Sequence, residues 1–193
     1  MKFETILLVG APGAGKGTQG RILGTIPNFY HCACGDVFRN LTIDSKLGRT
    51  FVRYSSKGEL VPDAYTVRLW RENIDVQKRL GSFDPERDTL VLDGIPRNLP
   101  QARILRSALH VIAVFNFICP DVDKLVERLQ RRALRENRLD DANLKIIRKR
   151  LATYAQETEP ILDYYGPKLV HAVDSTQTPI NVLRDILRVL ARI

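Results

Sequence analysis

The chain has few of the features that mark disulfide-rich, zinc-binding or membrane-spanning proteins. Its 193 residues contain three cysteines, Cys32, Cys34 and Cys119, which are too few and too irregularly spaced for a disulfide framework or a four-ligand zinc site. We interpret them as packed thiols, and we expect Cys32 and Cys34 to point to opposite faces of a strand. No apolar run is long enough to cross a bilayer, and the N-terminal residues lack the pattern of a cleavable signal. We therefore expect a cytoplasmic protein with no membrane association.

Linkers, internal repeats and low-complexity tracts are also missing from the sequence. With 44% hydrophobic and 27% charged residues, the composition is that of a globular protein, and the length suits one domain, residues 1–193, with room for small inserts. The net charge of +8 is compatible with nucleic acid or with small polyanionic ligands. The placement of that charge has to distinguish the two.

Apolar runs of strand length alternate with longer helical patterns. The runs cover residues 5–10, 30–34, 89–93, 111–118 and 168–173. This alternation predicts an α/β fold with a five-stranded parallel sheet and helices on both faces. Helical patterns at about 36–57 and 62–79 fill the long connection before the third run and predict a helical insert. A last helix should begin after Thr178 and Pro179 and bury Leu183, Ile186, Leu187 and Leu190.

The segment from Gly10 to Thr18 follows directly on the first apolar run. Its four glycines allow backbone N–H groups to surround an anion, and Lys16 lies where a helix should begin. This spacing predicts a phosphate loop for a nucleoside triphosphate. The residue directly after Lys16 is Gly17, and the hydroxyl residue usual at that position follows one place later, as Thr18. We therefore expect this hydroxyl to contribute less to magnesium binding.

A second group of polar residues follows the third strand. Asp93 ends that strand, where a carboxylate either holds magnesium in a phosphate-loop protein or caps the next turn. Arg97 can bind a phosphate through two N–H groups, and the amide of Gln101, four residues later, can pair with the edge of a base. Ligands of open parallel sheets bind beyond the carboxyl ends of the strands, so one cleft should contain both groups.

The most cationic segment lies between residues 128 and 150. Arg128, Arg132 and Arg135 share one predicted helix face, and Arg138 precedes Asp140 and Asp141. A second basic group, Arg148, Lys149 and Arg150, follows. Taken alone, this segment is typical of a solvated basic surface or an RNA-binding patch. Beside a triphosphate site, the same arginines are suited to stabilise charge during phosphoryl transfer.

Over essentially its whole length, the sequence resembles the adenylate kinases, one group of the nucleoside monophosphate kinases. Gly10 to Thr18 is similar to the phosphate loop of that family, including the glycine between the lysine and the threonine. Cys34 to Arg39 resembles the segment that lines the acceptor nucleotide, and Glu59 to Val61 resembles the stretch that contacts the acceptor base. Asp93 to Arg97, followed by Gln101, resembles the AMP-binding signature.

This resemblance implies a three-layer P-loop NTPase fold that transfers a phosphoryl group reversibly from ATP to AMP and yields two ADP. It implies an acceptor-binding insert at about 35–64, a short lid at about 132–138, Mg²⁺ bound with ATP, a monomer, and no nucleic-acid partner. The ATP-binding residues implied are Gly13, Ala14, Gly15, Lys16, Gly17, Thr18, Arg128, Arg132 and Gln177. The AMP-binding residues implied are Cys34, Arg39, Glu59, Leu60, Val61, Gly94, Ile95, Pro96, Arg97, Gln101, Arg138 and Arg150. The catalytic cations implied are Lys16, Arg97, Arg132, Arg138 and Arg150, with Asp93 (through water) and Thr18 as the groups near the metal.

Several positions depart from the family pattern. Cys34 stands where a threonine or serine is usual, which weakens the prediction of the acceptor base, and Ala133 and Asn137 replace lid glycines. Gln177 also replaces a glycine. An additional residue after Asp141 leaves open which of the basic residues 148–150 reaches the phosphates. A UMP/CMP kinase and a non-catalytic nucleotide- or RNA-binding module are the alternatives.

Overall fold

The computed structural model describes residues 2–42, 44–136 and 138–193. Asn137, one of the two residues that replace lid glycines of the family, therefore lies outside the described residues. Five strands in this part of the chain form one sheet: β1 (Phe3–Gly10), β2 (Phe29–Ala33), β3 (Thr89–Asp93), β4 (Leu109–Ile118) and β5 (Val170–Asp174). All neighbouring pairs are parallel, in the order β2-β3-β1-β4-β5. The predicted five-stranded parallel sheet is confirmed.

Nine α-helices surround the sheet in the described residues. They are α1 (Lys16–Leu23), α2 (Cys34–Arg39), α3 (Lys46–Ser55), α4 (Asp63–Arg79), α5 (Leu99–Leu105), α6 (Val122–Glu136), α7 (Leu144–Thr153), α8 (Ile161–Tyr165) and α9 (Pro179–Leu190). A short 3₁₀ turn, Leu139–Asp141, joins α6 to α7, and a π-helical turn, Tyr154–Thr158, follows α7. Helices α2, α3 and α4 all lie between β2 and β3, where the sequence predicts a helical insert.

Alternate residues of β1 enter two separate hydrophobic cores. Ile6 and Leu8 pack in the core that also contains residues of α1, α6 and α9. Leu7 and Val9 pack in the core that contains residues of α2, α4 and α5. Because side chains of a strand alternate between the faces of its sheet, these two cores lie on opposite faces. The predicted three-layer arrangement is therefore confirmed.

The helical pattern predicted at about 36–57 forms two helices with a break between them. Helix α2 ends at Arg39, and α3 begins only at Lys46. The hydroxyl of Ser45 accepts a hydrogen bond from Gly48 N at 2.9 Å and donates to the carbonyl of Thr42 at 2.7 Å. Serine in this position offers the backbone an alternative to continuous helix, so it caps a new one.

One expectation about side-chain direction is wrong, and a second is confirmed only in part. Cys32 and Cys34 are both buried in the same hydrophobic core, although Cys34 is already the first residue of α2. Residues two apart along a strand share a face, so alternation would not have separated them in any case. In α9, Ile186 is buried as expected, and Leu183 and Leu190 pack against the core. However, 38% of Leu187 is exposed, and Val182 is buried instead. Residues four apart lie on one face of a helix, and Leu187 lies beside that face.

The carboxyl ends of β1 and β3 are adjacent at one edge of the sheet. Leu8 is opposite Asp93, and Gly10 is opposite Phe117 of β4. Gly10 has a φ of +155°, and a Cβ atom there would lie 2.8 Å from both the Cβ and the carbonyl oxygen of Phe117. Only glycine fits this close approach, which directs the chain from β1 into the loop before α1.

Candidate active site

A cleft of about 660 Å³ opens at this edge of the sheet. Its lining comes from the loop before α1, from α2, from the segments around residues 58–61 and 93–97, and from α6 and α7. Every residue predicted to bind nucleotide or metal lines this cleft except Ile95. Ile95 is 2% exposed and belongs to a hydrophobic core, so its side chain supports the segment from inside instead of facing a ligand.

The phosphate loop holds its lysine close to the backbone. Lys16 Nζ donates hydrogen bonds to the carbonyl oxygens of Gly10 at 2.7 Å and Ala11 at 3.0 Å. Gly13 and Gly15 have φ values of +85° and +94°, a region that favours glycine. Helix α1 begins at Lys16, so the N–H groups of its first turn lie at the mouth of the loop, as an anion site requires.

The charges around Lys16 are predominantly positive. Burial lowers the pKa of Lys16 to about 8; Asp93 opposes that shift, while Arg97, Arg132 and Arg150 add to it. Three cations and one carboxylate therefore act on this ammonium group. Such an excess of positive charge in a cleft attracts polyanions.

Asp140 and Asp141 bring three of the predicted arginines together. Asp141 is fully buried and accepts hydrogen bonds from Arg132 Nε at 2.7 Å and from Arg150 Nη1. Arg150 Nη1 also donates to Asp140 Oδ2 at 2.7 Å, and Arg138 Nε lies 3.6 Å from Asp141 Oδ2. This geometry distinguishes the basic residues after Asp141, because Arg150 reaches the cleft and Arg148 is exposed outside its lining.

Burial has opposite consequences for the two kinds of group in this cluster. Burial lowers the pKa of Arg150, and the charges of Asp141 and Asp140 oppose this shift. Burial also lowers the pKa of Arg132, and the positive charge of Arg138 lowers it further. Burial alone would raise the pKa of Asp140, but the positive charges of Arg150 and Arg138 hold that pKa below its usual value. Asp140 thus stays ionised and keeps Arg150 oriented.

The cleft lining also includes the residues predicted to bind the acceptor. Arg97 Nε donates to the carbonyl of Gly94 at 2.8 Å, and the hydroxyl of Thr158 donates to the carbonyl of Arg97 at the same distance. Arg39 forms an ion pair with Asp36, one helical turn before it. Both guanidinium groups are therefore held in place and line the cleft.

Cys34 lies at the start of α2 and lines the same cleft. It is 2% exposed, and burial raises the pKa of its thiol to about 11. The thiol therefore remains protonated at neutral pH. A protonated thiol is a weak hydrogen-bond donor, so this position contributes less polar recognition than a serine or threonine would.

Asp93 faces the first turn of α1. A Cβ atom on Gly17 would lie 3.3 Å from Asp93 Oδ2, a tight contact that the glycine avoids. Thr18, the predicted hydroxyl ligand, is exposed in the same turn. Across residues 2–42, 44–136 and 138–193 there is no group of three or more His, Cys, Asp or Glu side chains that could hold a metal ion. One carboxylate beside a phosphate loop suits Mg²⁺, which binds proteins through few ligands and completes its shell with water and phosphate.

Several supporting residues were not predicted, because their partners are distant in sequence. Ser175 accepts a hydrogen bond through its carbonyl from Arg128 Nη2 at 2.9 Å, and Lys149 Nζ lies 2.7 Å from Glu59 Oε1. Asp63 accepts from the Gln101 side chain at 2.8 Å. No local motif marks these contacts; the acidic residue that follows Pro62 suggests only the start of a helix.

None of the helices in the described part of the chain is long and apolar enough to cross a membrane.

Comparison with known proteins agrees with this geometry. The profile of the family described as adenylate kinase matches residues 8–170. An adenylate kinase of Cyanothece sp. is 35% identical over 96% of this chain and 94% of its own length, and one of Flavobacterium psychrophilum is 34% identical over 96% and 97%. An adenylate kinase of Thermobifida fusca is 37% identical over 88% of this chain and 89% of its own.

Proposed function

The chain belongs to the adenylate kinase family, and we propose that its cleft transfers the terminal phosphoryl group of ATP to AMP through the cations that surround Lys16. The reaction is reversible and yields two ADP. The observation that carries the assignment of residues is that Arg97, Arg132 and Arg150, from three separate segments, line the same cleft as the phosphate-loop lysine.

This reaction needs no protein nucleophile. The acceptor phosphate is already an anion, so the barrier comes mainly from repulsion and misalignment between two polyanions. Lys16 and the first turn of α1 bind the donor phosphates, and Arg39 and Arg97 bind the acceptor phosphate. Arg132, Arg138 and Arg150 neutralise charge between them, and Asp140 and Asp141 orient these groups before any ligand arrives.

The remaining predicted residues complete the two nucleotide sites. Gly13, Ala14, Gly15, Gly17 and Thr18 would surround the donor phosphates, and Arg128 and Gln177 would contact the donor adenine; all seven line the cleft. Cys34, Glu59, Leu60, Val61, Gly94 and Pro96 form the acceptor pocket together with Gln101. Ile95 is not part of the cleft lining and packs in the core behind it.

Mg²⁺ accompanies ATP in this proposal. Asp93 would hold the ion through water, with Thr18 nearby, and the phosphates of ATP supply the other ligands. When bound, the ion neutralises charge on the donor phosphates.

The insert at about 35–64 and the lid at about 132–138 are proposed to close over both substrates, because an open cleft would let water accept the phosphoryl group. We propose that the active form is a monomer. We place the enzyme in the cytoplasm, where it would use ATP and AMP as its only required partners.

Lys16→Ala and Arg97→Ala test the proposal. Each should lower kcat by roughly 10²- to 10³-fold, the size seen when one charge-stabilising donor is removed from a transition state. Lys168→Ala and Arg103→Ala, which change exposed residues outside the cleft lining, are the matched controls and should retain wild-type rates. Wild-type turnover in either cleft variant would remove that residue from the mechanism.

The same assay discriminates the alternative functions when AMP, CMP, UMP and GMP are compared as acceptors. Preference for AMP is expected. Preference for CMP or UMP would make the protein a pyrimidine nucleotide kinase with the same mechanism. Tight, salt-sensitive RNA binding without ADP formation would instead indicate a binding module.

A further inference from the structure

The side-chain amide of Gln101 is held on both of its polar atoms. Gln101 is 1% exposed, and its Oε1 accepts a hydrogen bond from the backbone N–H of Arg97 at 2.7 Å. Its Nε2 donates to Asp63 Oδ1 at 2.8 Å. The same carboxylate oxygen accepts from Asn98 Nδ2 at 3.0 Å, while Asn98 Oδ1 accepts from the backbone N–H of Gln101 at 2.9 Å.

The chemistry of these partners determines which way the amide points. A backbone N–H can only donate, and an ionised carboxylate can only accept. If the amide of Gln101 were turned over, its oxygen would face Asp63 Oδ1 and its NH₂ group would face the N–H of Arg97. Both contacts would become repulsive, and buried polar atoms without partners are costly. The amide therefore has one stable orientation.

In that orientation the amide keeps one N–H donor and one oxygen lone pair for a ligand. Gln101 lines the cleft. Adenine presents a ring nitrogen that accepts and an amino group that donates along one edge, which is the complement of this amide. Hypoxanthine, the base of IMP, presents the reverse order at the same edge, namely a ring N–H and a carbonyl oxygen.

We propose that Asp63 is a positioning residue that makes the acceptor site select a 6-amino purine over a 6-oxo purine, by preventing the amide of Gln101 from turning over. This inference rests on the proposed function, since it requires that Gln101 faces the acceptor base. Asp63 acts from behind the site: its carboxylate contacts Asn98 and Gln101 and is not part of the described cleft lining.

The position of Asp63 also allows a purely structural role. It is the first residue of α4, where a carboxylate interacts favourably with the helix dipole. Loss of that interaction would lower stability and would reduce activity toward every acceptor by the same factor. A change in the ratio between two acceptors requires the orienting role.

The experiment compares kcat/KM for AMP and for IMP in the wild type, Asp63→Ala and Asp63→Asn. Asp75→Ala is the control, since it removes a carboxylate from an exposed position of the same helix. Asp63→Ala should lower the preference for AMP over IMP by about tenfold, the effect of losing one hydrogen bond to a charged group. Asp63→Asn, whose neutral amide is a weaker acceptor and can itself turn over, should lower it by about threefold.

The control should keep the wild-type preference. If Asp63→Ala does not fold, the Asp63→Asn ratio decides, and an unchanged ratio overturns the inference. Equal losses toward AMP and IMP in Asp63→Ala would likewise show that Asp63 serves only the stability of α4. A wild-type protein that transfers no phosphoryl group to AMP would instead refute the proposed function itself.

Discussion

Substitution of Asp141 by asparagine tests whether the arginine cluster is organised before substrates bind. Asp141 is fully buried, and Arg132 and Arg150 both donate hydrogen bonds to its carboxylate. Arg138 lies 3.6 Å away. Asparagine keeps the shape and one acceptor oxygen but removes the negative charge, so three cations lose the counter-charge that they share.

The expected cost follows from this geometry. Breaking a buried ion pair by removing one partner costs about 3–5 kcal/mol. The three arginines are 9–29% exposed, so cleft water replaces part of the lost interaction, and we expect about 3 kcal/mol. For a domain of this size that loss lowers Tm by about 6–12 °C. The arginines also lose their orientation, so kcat should fall by at least about tenfold.

Thermal unfolding followed by circular dichroism, with and without a non-hydrolysable ATP analogue, measures the effect. Phosphates of the analogue supply negative charge to the same arginines, so the difference in Tm between variant and wild type should narrow when the analogue saturates both. Asp75→Asn, at an exposed position of α4, is the matched control and should leave Tm within about 1 °C, as surface substitutions do. An unchanged Tm in Asp141→Asn would mean that solvent, not this carboxylate, stabilises the arginines.

Two further predictions concern Lys16 and the contact between the insert and α7. The pKa of Lys16 is lowered to about 8, and a lysine is neutral above its pKa, so kcat/KM for ATP should fall about tenfold per pH unit above pH 8. The decline in kcat should begin at higher pH, because bound phosphates raise the pKa of Lys16. A kcat/KM that stays constant to about pH 9.5 would contradict this prediction. Lys149→Glu should raise KM for AMP, because it places a second carboxylate beside Glu59. The double variant Glu59→Lys with Lys149→Glu should restore the wild-type KM. A KM in the double variant as high as in the single variant would show that the pair does not position the insert.

Several features of the fold and site could be predicted because their signals are local. Apolar runs predicted all five strands, since a buried strand needs only contiguous hydrophobic residues. The phosphate loop was recognisable because its glycines, its lysine and the following helix are consecutive in the chain. The break between α2 and α3 was missed because Ser45 caps a helix through a short-range hydrogen bond that competes with an otherwise helical pattern.

Contacts between distant segments could not be predicted in this way. A glutamine four residues after Arg97 suggests a base contact, but nothing in the sequence near Gln101 indicates that Asp63 holds its amide. Ile95 lies inside the AMP-binding signature, yet the turn after β3 directs its side chain into the core. Which of three consecutive basic residues reaches the cleft depends on the rotation of α7, and that rotation is set by packing of the buried Ile147.

The sequence by itself determined the order of strands and helices along the chain, the phosphate loop and the residue types available for phosphoryl transfer, because each of these depends on neighbouring residues. The tertiary structure alone decided which charges meet: Asp141 with Arg132 and Arg150, Glu59 with Lys149, and Asp63 with Gln101. Hydrogen bonds and ion pairs act over a few ångströms, so their partners are chosen only when the sheet and its helices bring separate segments to one edge.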